Sequence, residues 1–181
     1  MTCPLIPVGT GIDSDGASAE SPGSKDPGPG RALSSANTLG GMDLRDALDF
    51  IRGRREGVLT TLRRDGRAQL SNIIYAVGPD DDVRISVTAT RAKTKNLQRD
   101  PRASLYVVGD NFWAYVVVDG HATLTPVAAD PRDATVDELV ELYRSMAGDH
   151  DNWDEYRAAM VADQRLVLRI TPTSAYGMIG N

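Results

Sequence analysis

Cysteine is almost absent: the 181-residue chain has one, Cys3. A single thiol excludes an intramolecular disulfide and any cysteine-based metal site. Histidine is nearly as scarce, and His121 and His150 have no metal-ligand spacing, so no metal site is expected. Long apolar runs are missing too. No stretch approaches the roughly 20 residues of a membrane span, and residues 1–7 carry neither a basic segment nor the apolar run of a secretory leader. A cytoplasmic protein with no membrane attachment is the expectation. Nor is there an excess of positive charge: the formal net charge is −5, which argues against coating nucleic acid or an anionic membrane. The chain also lacks a G-x-G-x-x-G fingerprint, a P-loop and a G-x-S-x-G elbow. Dinucleotide binding on a Rossmann fold and serine-nucleophile hydrolysis therefore find no support.

What is present suits one soluble domain with an appendage. Hydrophobic residues make up 41% of the chain, enough for a real core. Five of the ten prolines fall between Pro4 and Pro29, among Gly, Ser and Asp. Such a segment has too little apolar surface to offset its ordering entropy. Residues 1–41 are therefore expected to be a disordered tail, with a lid or docking arm as the alternative, and residues 42–181 to be the folded domain. Met42, after Gly40-Gly41, is a possible start of the protein proper.

Leu44, Ala47, Leu48 and Ile51 recur at helical spacing behind Asp43, which predicts an amphipathic helix over 43–54. A strand over 57–62 meets Asp65-Gly66, a strong hairpin signal, and returns over 67–77. Further strands are expected over 83–89, 103–108, 112–125 and 166–170, with a loose end after Pro172. In the long strand Ala114, Val116, Val118, Ala122 and Leu124 share one face; Trp113, Tyr115, Asp119 and His121 share the other. Residues 91–98 read as one or two helical turns, and 135–146 and 153–161 as helices. Antiparallel strands at hairpin spacing with a few helices predict a mainly β, α+β fold: a six-stranded antiparallel barrel with peripheral helices.

Three groups of residues carry possible chemistry. Arg91, Lys93, Lys95, Arg99 and Arg102 lie within twelve residues of an acidic protein, against one acid, Asp100. The run leaves a strand and opens a helix, whose free N–H groups beside an Arg and a Lys suit a phosphate; a solvated helix face is the competing reading. Gln69 and Ser71 share one side of a strand, which suits either the polar edge of a ring or an ordinary exposed face. Phe112, Trp113 and Tyr115 suit the wall of a planar cofactor or a dimer interface. His121 reads as a solvated strand residue, since it has no evident partner to make it a base. Asp130, Asp133, Asp137, Glu138 and Glu141 read as a helix start and its exposed face.

Taken together, Gly57-Val58-Leu59-Thr60-Thr61, Asp65-Gly66-Arg67-Ala68-Gln69-Leu70-Ser71-Asn72, Arg91-Ala92-Lys93-Thr94-Lys95-Asn96-Leu97 and Asp100-Pro101-Arg102-Ala103-Ser104 closely resemble the pyridoxamine 5′-phosphate oxidase-like split β-barrel (FMN-binding-like) family. Within it, the likeness is to the actinobacterial branch that uses the deazaflavin coenzyme F420. It continues through Gly120-His121-Ala122-Thr123, Leu142-Tyr143-Arg144, Trp153-Asp154-Glu155-Tyr156 and Tyr176-Gly177, covering nearly all of residues 43–178. The resemblance implies a homodimer with the cofactor at the subunit interface. By it Arg91 and Lys93 hold the phosphate, helped by backbone at Ala92 and with Asn96 in the same motif. Ser86 and Val87 approach the ring and ribityl chain, Gln69, Ser71 and Asn72 line the ring, and Trp113 comes from the facing subunit. Lys95, Arg99 and Arg102 would meet a polyglutamate tail. One departure stands out: only Ala92 separates Arg91 from Lys93, where true pyridoxamine-phosphate oxidases have an apolar pair. That spacing weakens, without excluding, flavin mononucleotide (FMN) and pyridoxal chemistry.

The activity implied is hydride transfer from reduced deazaflavin to an unsaturated small molecule, of biliverdin, quinone or enone type. The cofactor carries the hard step, so no protein residue is assigned as a catalytic nucleophile or acid; the proton comes from solvent or a group such as Tyr176. The alternatives are an FMN-dependent oxidase and a carrier that binds cofactor without turnover.

Overall fold

The computed structural model describes residues 41–179. A two-residue strand, β1 (Gly41–Met42), precedes helix α1 (Leu44–Arg52). The Asp43 carboxylate accepts from the Arg45 N–H at 2.8 Å and so starts the helix. Strands β2 (Glu56–Leu62) and β3 (Ala68–Ile74) form a hairpin whose Gly66 has φ +80°, the left-handed conformation its turn requires. Then follow β4 (Ala76–Val77), β5 (Val83–Thr88), α2 (Ala92–Arg99), β6 (Arg102–Val108), β7 (Tyr115–Leu124), α3 (Ala134–Ala147), α4 (Trp153–Ala162) and β8 (Arg165–Met178).

Every strand pairing is antiparallel, in the order β3-β2-β6-β7-β8-β5-β4, with β1 added on β8. The two edge strands of this order, β3 and β4, are consecutive in the chain and separated only by Tyr75. The chain thus steps from one edge of the sheet to the other, and the sheet curls into a split barrel. Tyr75 fastens the step: its N–H donates to the Arg55 carbonyl at 2.9 Å and its buried hydroxyl to the Ile51 carbonyl at 2.8 Å. Burial pushes that phenol far up, so it stays a donor. Leu59, Ile85, Leu105, Val118 and Leu168 fill the barrel. Outside it, α3 and α4 bring Val136, Leu139 and Met160 onto Val167 of β8 in a second apolar cluster. Six long strands and four helices match the sequence expectation; two two-residue strands are added to it.

Three boundaries differ. The strand expected over 67–77 is broken at Tyr75 by the edge-to-edge step. The strand expected from residue 112 begins at Tyr115, because the Asn111 side chain accepts from the N–H groups of Trp113 and Ala114, at 3.0 Å each, and folds 111–114 into a turn. The loose end after Pro172 is instead strand to Met178. Pro172 is tolerated there because the β7–β8 register shifts between Asp119 and Gly120, leaving Thr173 as an extra residue of a bulge. At Gly120 a Cβ would lie 2.4 Å from the Thr171 carbonyl oxygen, so this close approach needs glycine. Finally, the expected tail of residues 1–41 lies outside the described residues except Gly41, which pairs with Tyr176.

Candidate functional site

The junction of β5 and α2 is a tight turn held by one carbonyl. Thr88 O accepts from the Arg91 N–H at 3.2 Å and from the Thr94 hydroxyl at 2.9 Å. This fixes Arg91 as the N-cap in an extended conformation, but no side chain caps the helix there. The first N–H groups of α2 are therefore presented beside Arg91 and Lys93. Among the described residues no carboxylate lies within ion-pair distance of either cation. Lys93 is half-buried, and its ammonium is held below the ordinary lysine range first by that burial, then by the charges of Arg91 and Arg165. Arg165 opens β8, and its strand position pairs with Thr88. The junction is thus an electropositive cradle in a protein of net charge −5, a fit for an anionic group.

One helical turn further on, α2 meets the barrel wall. The Asn96 amide donates to the Thr61 hydroxyl at 3.1 Å and to Gln69 Oε1 at 2.6 Å. Its own carbonyl oxygen accepts from Arg99 at 3.2 Å. Asn96 and Thr61 are buried. With Oε1 taken, Gln69 keeps its amide N–H groups to offer. Strand registers put Gln69 and Ser71 on the face of Thr61 and Leu59, while Asn72 shares the opposite face with Leu70 and Val58. The expected trio is therefore split: Gln69, bonded to Asn96 of α2, shares its face with Ser71, and Asn72 lies on the other.

On β5 the same alternation separates Ser86 from Val87. Val87 is buried in the barrel core, so only its backbone can reach a ligand. Ser86 lies half-buried on the face of Thr88 and Arg165. Ala92 is exposed at the first helical position. Of the cations expected to meet a cofactor tail, Lys95 is exposed. Arg99 donates to the Leu62 carbonyl as well as to Asn96, and Arg102 is doubly hydrogen-bonded to Asp100 at 2.9 and 2.7 Å. His121 is exposed on β7, as expected of a solvated residue.

Trp113 is 74% exposed in the β6–β7 turn, packed edge-on against Phe112. That turn is at the opposite end of β6 from α2, on the order of 20 Å of strand. Within one chain the structure does not bring Trp113 to the cradle. Tyr176 is similarly remote, about eleven residues along β8 from Arg165, or on the order of 35 Å of strand. Its phenol is raised by burial and by Asp119. A cleft of about 420 Å³ between the end of β7, the start of α3 and Arg169 contains none of the cradle residues. Arg165 escapes a reading of the sequence because it lies more than sixty residues from the basic run; strand pairing joins them.

These features define the class as a split β-barrel with an anion cradle at a strand–helix junction. The chain belongs to the pyridoxamine 5′-phosphate oxidase family, whose model matches residues 45–179. Its fold is similar to that of a conserved hypothetical protein from Mycobacterium tuberculosis, at 21% identity and TM-score 0.60, covering 81% of this chain and 90% of that one. It is also similar to an F420 reductase, at 23% identity and TM-score 0.54, covering 70% and 93%. A heme storage protein from Vibrio cholerae matches at 14% identity and TM-score 0.55, covering 74% and 93%. At these identities the likeness is one of fold. Among the described residues no helix is long and apolar enough to cross a membrane, and no cluster of potential metal ligands is found.

Proposed function

We propose that this chain is a coenzyme F420-dependent oxidoreductase, passing hydride to a conjugated small molecule of biliverdin, quinone or enone type. The observation that carries the reading is the pair Arg91 and Lys93, with no carboxylate within ion-pair distance among the described residues, beside a helix start that no side chain caps. When bound, the deazaflavin supplies the hydride. The chain's own residues then bind and orient. Arg91, Lys93 and the backbone at Ala92 hold the anionic end. Gln69, oriented by Asn96, which follows Lys93 by three residues on α2 (roughly 4.5 Å along the axis), donates to a polar ring edge, with Ser71 beside it. No protein nucleophile is required.

A homodimer completes the proposal. Leu70, Val108, Tyr176 and Met178 lie on one face of the sheet by register, and Leu70 and Met178 are 65% and 58% exposed. With exposed Phe112 and Trp113 at its rim, this face carries large apolar side chains of the kind that mark an interaction surface. A second copy covering it would also deliver Trp113 to the partner's cradle, which one chain alone does not do. Light scattering is expected to give a dimer, and Met178→Asp to weaken it; a monomeric wild type would remove Trp113 from the site.

Titrating coenzyme F420 and FMN side by side tests the cofactor. Tighter binding of the deazaflavin, with turnover of an enone or biliverdin acceptor by its reduced form, is the expected result. Tighter FMN binding would favour the flavin oxidase alternative, and binding without turnover of any acceptor class the carrier.

A further inference from the structure

Arg165 has an unusual position for a guanidinium. Its side chain is only 13% exposed, and its Nε is buried without a hydrogen-bond partner. Among the described residues the one carboxylate within ion-pair distance is that of Asp163, half-exposed; it accepts from Nη2 at 3.5 Å and lies 3.5 Å from Nε without hydrogen-bonding geometry there. A buried donor left unmade costs free energy, so its retention calls for an occupant. The place is built. Gln164, in a left-handed conformation (φ +53°), turns the chain from α4 into β8, and its carbonyl accepts from the Ala89 N–H at 3.0 Å. That bond ties the start of β8 to the end of β5, where Arg165 pairs with Thr88 and lies close enough to Lys93 to act on its charge.

We propose that Arg165 is a third, buried ligand of the anion cradle, and that it makes the cradle select a group carrying two negative charges over one carrying a single charge. The inference rests on the cradle proposed above and adds its specificity. Arg91 and Lys93 hold the anion from the helix side; Arg165 holds it from the strand beneath. Three cations against one half-exposed carboxylate leave a surplus of two charges, which a singly charged phosphodiester does not neutralise. A dianionic phosphate does, and so does a phosphodiester with a carboxylate beside it. The fixed fork of Arg suits a tetrahedral oxyanion in a way a lysine ammonium does not.

The test uses the full chain without cofactor and two probes: inorganic phosphate at pH 8, mostly dianionic, and dimethyl phosphate, a monoanion. Binding is followed by NMR titration to tens of millimolar. Wild type is expected to prefer phosphate by at least tenfold. Arg165→Gln should lose about tenfold in phosphate affinity and most of the preference, and Arg165→Lys should keep the affinity in part. A second readout needs no ligand: removing Arg165 should raise the Lys93 titration midpoint. If Lys93→Ala weakens phosphate binding while Arg165→Gln changes neither the affinity nor that midpoint, this inference is overturned and the cradle stands. If neither variant matters, or wild type binds no phosphate, the cradle reading falls with it. Should Arg165→Gln fail to fold, a wild type without preference for the dianion overturns the proposal by itself.

Discussion

The two ends of helix α2 are built from similar residues and left in opposite states. At its C-terminal end Asn96, Arg99 and Arg102 all bond within the protein. Asn96 bonds Thr61, Gln69 and Arg99, Arg99 also reaches the Leu62 carbonyl, and Arg102 grips Asp100. At its N-terminal end Arg91 and Lys93 have no carboxylate within ion-pair distance among the described residues, and no side chain caps the helix start. Both ends looked alike as a basic run. The difference teaches that charge alone does not mark a site. What marks it is charge held in place by structure and left without a protein partner, since satisfied groups have no free energy left to give a ligand.

The sharpest way to break this contrast is to remove charge from the open end. Arg91→Ala and Lys93→Ala should each weaken cofactor binding by roughly 1.5–3 kcal/mol, Arg91 the more, because a charge-assisted hydrogen bond is lost. Thermal stability should hold or rise slightly, since among the described residues neither cation has a carboxylate partner to lose and the two repel each other. Isothermal titration with coenzyme F420 and a melting curve check both halves. Unaltered affinity would mean that the cradle is only a solvated helix start.

The closed end should respond in the reverse sense. Asn96→Ala strands the buried Thr61 hydroxyl and frees Gln69 and Arg99, so stability should fall by about 1–3 kcal/mol, read from a denaturant midpoint. Cofactor binding should weaken less, and only through the loosened Gln69. If affinity collapses while stability holds, Asn96 touches the ligand directly, as the family resemblance implies, and the contrast between the two ends is too simple.

Much of this was legible in the sequence because it is local. The helical spacing behind Asp43, the Asp65-Gly66 turn and the alternation along β7 state their own periods, and the structure follows them. The basic run announced the cradle, since five cations in an acidic chain are conspicuous. What stayed hidden depends on which strands become neighbours. Arg165 joins Arg91 and Lys93 only through the β5–β8 pairing. The separation of Asn72 from Gln69 and Ser71 follows from strand alternation, yet which face meets α2 is decided by tertiary packing. The continuation of β8 past Pro172 was misread because proline reads as a stop, and the bulge that accommodates it sits against a glycine on another strand.

The smallest expected effect is one of pH, and it sharpens the contrast by separating Lys93 from an ordinary surface lysine. Burial, Arg91 and Arg165 all lower its pKa, and among the described residues the carboxylate within ion-pair distance of these three cations is Asp163, paired to Arg165. Between that lowered value and the ordinary 10.5, the unfolded chain keeps a proton that the folded chain has released. Stability therefore rises with pH across this window: charged Lys93 costs the fold something below the window, and the cost is gone above it. Affinity for an anion runs the other way, because the neutral amine no longer attracts it. Cofactor binding should thus weaken at a pH below that at which a free lysine titrates, while Lys93→Arg, which stays charged, should bind evenly through the same range. Affinities measured between pH 7 and 10.5 check it; parallel profiles for the two proteins would show that Lys93 does not carry the anion.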